Sequence, residues 1–159
     1  MSYTTVLKVN KRSTREILEF HNSFGSAPVV WMAIGKKYLH DELGWLNDKG
    51  KDLWKLYADK CVPFQLRVVL ILTFDKCFVS KQNFQRVAKA IRFFLEQFPP
   101  EEGKANHWPK IAEFFESNPK YDRIGFNWTS VCDVWEDGTE GMFELYEALE
   151  DGEVKDVEV

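Results

Sequence analysis

Three histidines and three cysteines are the residues of this chain best suited to chemistry near neutral pH. Their spacing decides what they can do. His21, His40 and His107 each stand alone, with no second histidine or cysteine within four residues. A zinc centre draws paired ligands from one turn or helix face, because pairing lowers the cost of ordering them. No metal site is therefore expected. Cys61, Cys77 and Cys132 have the apolar neighbours Val62, Phe78 and Val131, which raise a thiol's pKa and blunt its nucleophilicity. Their odd number, without framework spacing, reads as reduced thiols in a cytoplasmic protein. The expectation is no catalytic residue and no cofactor. The alternative is a small intracellular hydrolase or transferase with a dispersed site, in which folding brings His107 or Cys132 into a polar pocket.

No glycine-rich phosphate loop is present, since the nine glycines are scattered singly at turn-like positions. The paired carboxylates Asp41-Glu42, Glu101-Glu102 and Glu136-Asp137 lack the setting that separates an acid from a base, and read as solvated surface. Lys81, Arg86, Lys89 and Arg92 lie on one predicted helix, the last three spaced by three as a ridge. Such a ridge could contact phosphates, which makes nucleic-acid binding a second alternative. The chain's pI near 5.5 weighs against it.

The formal net charge of -4 hides an asymmetry. Through Cys132 the chain holds 20 Lys and Arg against 14 Asp and Glu, a net +6; residues 133–159 hold 11 acids and only Lys155, a net -10. Trp135 sits beside Glu136-Asp137-Gly138, and an aromatic anchor ringed by acids is what a protein-binding surface needs. The leading reading is a non-enzymatic interaction or regulatory module. Its acidic C-terminal region would bind another protein through Trp135, Glu136, Asp137, Glu140, Glu144 and Glu147.

The elements that must position these groups follow from periodicity. Tyr3 to Val9 reads as a strand, and Ser13 with Glu16 as a capping box opening a helix to about Asn22. Helices are predicted at Ala27 to Leu39, where Pro28 suits the first turn, and at Asp52 to Lys60. Val62 to Asp75 fits a strand by its β-branched residues and a buried helix by its length and Pro63; helix is preferred. Ser80 is placed as the N-cap of a strong amphipathic helix running through Phe84, Val87, Ile91 and Phe94 to Phe98. A short helix follows over Trp108 to Ser117. Ile124 to Trp128 and Val131 to Trp135 alternate as two strands of a hairpin, and Met142 to Leu149 as a last helix.

Strands at both ends with helices between them predict a helix-rich α+β domain over residues 1–150, whose terminal segments share a small antiparallel sheet. Residues 151–159 read as an acidic, frayed tail. The longest apolar run, Val68 to Leu72, is too short to span a bilayer, and the first ten residues lack the pattern of a secretory signal. No membrane contact is expected.

Overall fold

The computed structural model describes residues 2–46 and 50–150, so the predicted tail at 151–159 lies outside the described residues. The chain opens with a hairpin. Strand β1 (Tyr3–Val9) alternates as predicted: Val6 enters the main core, while Leu7 and Val9 join a smaller cluster on the opposite face.

Residues 14–21 form a second strand, β2 (Thr14–His21), rather than the predicted helix. Two features explain the difference. Ser13 does not cap a helix; its carbonyl accepts from the Asn10 amide at 2.8 Å, closing the turn between the strands. The β1–β2 register also jumps by one residue, with Val6 opposite Leu18 and Leu7 opposite Glu16, so Ile17 is the extra residue of a β-bulge. A bulge resets the two-residue alternation. The adjacent apolar pair Ile17-Leu18 then imitates helical spacing.

The prolyl start holds: helix α1 (Ala27–Leu39) begins at a proline-bearing first turn and ends at His40, which takes a left-handed conformation. Helix α2 (Gly50–Lys55) continues as a 3-10 turn to Ala58. Helix α3 (Phe64–Leu72) follows Pro63 and resolves the ambiguous apolar run as a buried helix, with Leu66 and Val68 to Leu72 all fully enclosed. A helix enclosed from Val68 to its end needs no polar face there, which is why its sequence shows no clear period. Its end is fixed by tryptophans. Thr73 Oγ1 donates to the Leu70 carbonyl and accepts from Trp31 Nε1 at 2.9 Å, and Trp128 Nε1 donates to the Leu72 carbonyl at 3.1 Å.

Strand β3 (Cys77–Ser80) is too short to show a period and was not predicted. Ser80 ends this strand, and a 3-10 turn separates it from helix α4 (Phe84–Gln97). Helix α5 (Trp108–Glu116) and strand β4 (Arg123–Asn127) lie where expected. The predicted second strand of a C-terminal hairpin does not form. Thr129 Oγ1 accepts from the Val131 amide and Asp133 Oδ1 from the Trp135 amide, so side chains satisfy the backbone locally and the segment turns. Val131, at 88% exposure, points outward. Strand β5 (Phe143–Glu144) then leads directly into helix α6 (Leu145–Glu150).

The fold is α+β, as the sequence predicts, but its sheet is mixed and is not built from the terminal segments alone. The strand order is β2-β1-β4-β3-β5, antiparallel except for β3 beside β5, which is parallel. The helices cover one face around Trp108, Trp128 and Phe126; Trp128 stacks on Phe126 at 4.3 Å and on Trp108 at 5.5 Å between ring centroids. The loop after β4 covers the other face, where Trp135 joins Leu7, Val9 and Phe78.

Gly125 shows how closely that loop lies on the sheet. A Cβ there would meet Val9 Cγ2 at 2.9 Å and Trp135 Cζ2 at 3.1 Å. Gly125→Ala should therefore destabilise the protein by about 1–3 kcal/mol through overpacking. Urea denaturation followed by tryptophan fluorescence checks this, and an unchanged midpoint would show that the indole yields freely.

Candidate functional site

The acidic C-terminal segment divides into buried and exposed parts. Trp135 is only 4% exposed, and its Nε1 donates to the Phe126 carbonyl at 3.0 Å. It seals the sheet and presents no ring to solvent. Glu144 is 3% exposed, and its carboxylate makes four contacts. Oε1 accepts from the amides of Tyr146 at 2.8 Å and Glu147 at 3.0 Å, capping α6. Oε2 accepts from the Ser80 amide at 2.9 Å and from Asn83 Nδ2 at 3.3 Å, at the entrance to α4. Glu136, Asp137, Glu140 and Glu147 are exposed.

Lys76 organises the loop from the sheet side. Its backbone is left-handed, with φ 66°, and its carbonyl accepts from the Phe143 amide at 3.0 Å. Its Nζ donates to Asp137 Oδ1 at 2.8 Å and to the Gly138 carbonyl, and lies 5.2 Å from the centre of the Trp135 ring. Asp75, Asp133, Glu136 and Asp137 surround it in a shallow depression of about 570 Å³. Four carboxylates against one ammonium leave this surface negative.

The basic helix ridge is partly engaged within the fold. Arg92 forms a two-pronged pair with Glu116, Nε to Oε2 at 3.0 Å and Nη2 to Oε1 at 2.8 Å. Arg86 lies 3.9 Å over the Tyr146 ring and donates to Asn83 Oδ1 at 3.3 Å. Lys81 and Lys89 are exposed. The C-terminal helix thus meets the ridge through an aromatic ring.

Among the described residues, no group of three or more His, Cys, Asp and Glu is arranged to hold a metal ion. His107 stacks on Phe20 at 5.4 Å, its Nε2 sits 2.9 Å from the Asn22 carbonyl, and its ring packs against Gly25. Burial, and then the charge of Glu144, push the Cys77 thiol well above its ordinary pKa, so it stays protonated and a poor nucleophile. Cys61 and Cys132 are exposed. Neither His107 nor Cys132 lines the acidic depression.

No family model, curated protein or solved structure matches this chain. Also among the described residues, no helix is long and apolar enough to cross a membrane.

A larger groove of about 840 Å³ runs between α1 and the α4–α5 connection, floored by Val29, Met32, Ala33 and Phe98 and edged by Lys36 and Lys37. Sequence reasoning singled out none of these as site residues, nor Asp75 and Lys76. The available signal was on α1, where Val29, Met32, Ala33, Lys36 and Lys37 share one helical face.

Glu144→Ala strips the acceptor from two helix entrances and should cost about 2–4 kcal/mol. Chemical denaturation measures it, with Glu144→Gln retaining part of the stability through its one oxygen. Separately, the hydrogen bond from Lys76, and then its charge, hold the Asp137 carboxyl below its ordinary pKa. A depressed folded-state pKa gives a contribution present above the unfolded value and lost as pH falls through the folded one. In an NMR acid titration the Asp137 carboxyl should therefore keep its charge to lower pH in the native protein than in the Lys76→Met variant.

Proposed function

We propose that the protein is an interaction module that receives a basic segment of another protein on its acidic loop face. The observation that carries this reading is the depression around Lys76, where Asp75, Asp133, Glu136 and Asp137 converge on one open surface. Trp135 and Glu144 support the face from beneath, as wall and cap, instead of touching the partner. Glu140 and Glu147 are exposed and add negative charge beyond the depression. Carboxylates so arrayed steer a cationic partner and fix its orientation, a contribution that weakens with salt.

The face is rigid enough to be selective. Lys76 ties Asp137 and the Gly138 carbonyl, Asp133 caps the Trp135 amide, and Thr139 Oγ1 donates to the Lys11 carbonyl across the hairpin turn. Pre-ordered carboxylates lose little conformational freedom on binding.

Truncation would be a poor test, because residues after Gly138 supply β5, α6 and the Glu144 cap. Charge reversal at the exposed Glu136 and Glu140 leaves those elements, and the Asp133 cap of the Trp135 amide, intact. Affinity capture from lysate of the source cells, with the native chain and the double lysine variant as baits, should lose salt-sensitive partners with the variant. Recovery of the same proteins by both baits would refute the acidic face as the contact.

A further inference from the structure

One face of α1 opens into the larger groove. Val29, Met32, Ala33, Lys36, Lys37 and His40 line it, and their spacing of three and four places them on one side of the helix over roughly 16 Å. They form two i, i+4 ridges, Val29-Ala33-Lys37 and Met32-Lys36-His40, with a furrow between them of the kind that receives a ridge of a second helix. The opposite wall is the connection between α4 and α5, and it runs antiparallel to α1. Phe98 lies under the Lys37 ammonium, 5.6 Å from Nζ to the ring centre. Ala105 and His107 pack instead against Gly25, just before the helix, and the His107 amide donates to the Gly25 carbonyl at 2.8 Å. Phe24, 58% exposed, stands at that same start.

Apolar surface and positive charge therefore run side by side. Phe24, Val29 and Met32 line the beginning of the groove, and Phe98 carries apolar surface to its end, beneath a lysine. Three lysines against Glu42 and Glu101 leave the lining positive. Glu101 is bound by Lys104 at 2.8 Å, and no ion pair among the described residues engages Lys36 or Lys37. An occupant must then present apolar atoms along its whole length with anions beside them.

The backbone of that occupant must also be satisfied. A helix wall such as α1 offers no row of free amides and carbonyls, so an extended segment laid on it would bury unpaired peptide groups, whereas a helix pairs its own. Spread over its length, the groove's 840 Å³ gives a cross-section of about 50 Å², roughly half that of a helix about 10 Å across. One face of a helix is received and the other stays in water.

We infer that the α1 groove receives an acidic amphipathic helix of a partner protein, its apolar stripe on Val29, Met32 and Phe98 and its flanking carboxylates against Lys36 and Lys37. This surface is separate from the acidic loop face and does not depend on it.

Fluorescence anisotropy of the full chain with a labelled peptide of about 18 residues tests the inference, the peptide carrying leucines three and four apart, glutamates on both flanks of that stripe, and alanine and glutamine elsewhere. One saturable site is expected, with helical circular dichroism gained on binding. Changing the flanking glutamates to glutamine should weaken binding at least about tenfold, and a central proline should do the same by breaking the helix. Lys36→Gln with Lys37→Gln alters two exposed side chains and should bring the glutamate and glutamine peptides within about twofold of each other, with cooperative melting retained. Met32→Glu should weaken the glutamate peptide by placing a like charge on the floor. Absence of binding, equal affinity for the two peptides, indifference to the proline, or binding that neither variant reduces would overturn the inference. Sedimentation of the chain alone should show a monomer; a dimer dispersed by Met32→Glu would make a second copy the occupant and overturn it too.

Discussion

One carboxylate holds the C-terminal half of this molecule together. Glu144 lies inside the protein at the junction of β5 and α6, and a buried charge is tolerated only where hydrogen bonds replace its water. Here four donors do so, two from the first turn of α6 and two from the approach to α4. The positive ends of both segments favour the negative charge as well. The parallel pairing of β5 with β3 brings the carboxylate within reach of Ser80. The cap in turn holds α6 where Tyr146 can lie beneath Arg86. Acidic sequence at this point therefore serves architecture, whereas Glu136, Asp137 and Glu140 of the preceding loop and Glu147 of α6 face water.

The same division explains what the sequence made legible. Helices α1, α3, α4 and α5 were readable because each either repeats apolar residues at helical spacing or is long, apolar and opened by proline. The first strand and β4 were readable by alternation, and α2 and α6 by their apolar faces, although α6 starts three residues later than the spacing predicts. The rest depended on partners distant in the chain. The bulge at Ile17 disguised β2, and β3 and β5 are too short for a period to show. The second aromatic run after β4 alternates like a strand because Trp135 and Val134 are apolar, yet they pack as a lid made of turns.

For the candidate contact residues, charge asymmetry points to the C-terminal region but cannot say which acids face water. Trp135 and Glu144 have ordinary surface-like neighbours in sequence and interior positions in space. Lys76 was missed because its role is visible only when Asp137, Gly138 and Trp135 are brought around it. The α1 groove was missed for a different reason: its second wall, the stretch between α4 and α5, is irregular and carries no period.

The bulge in β2 has a consequence for the protein in concentrated solution. Of the sheet's two edges, β5 is two residues long, whereas β2 offers eight, long enough to recruit a strand from another molecule. The extra residue at Ile17 breaks the even ladder of amides and carbonyls and increases the local twist. Arg15, Glu16 and Glu19 place charges along the same border. A flat, uncharged β2 would be a template for sheet growth; the bulged and charged one resists edge-to-edge aggregation.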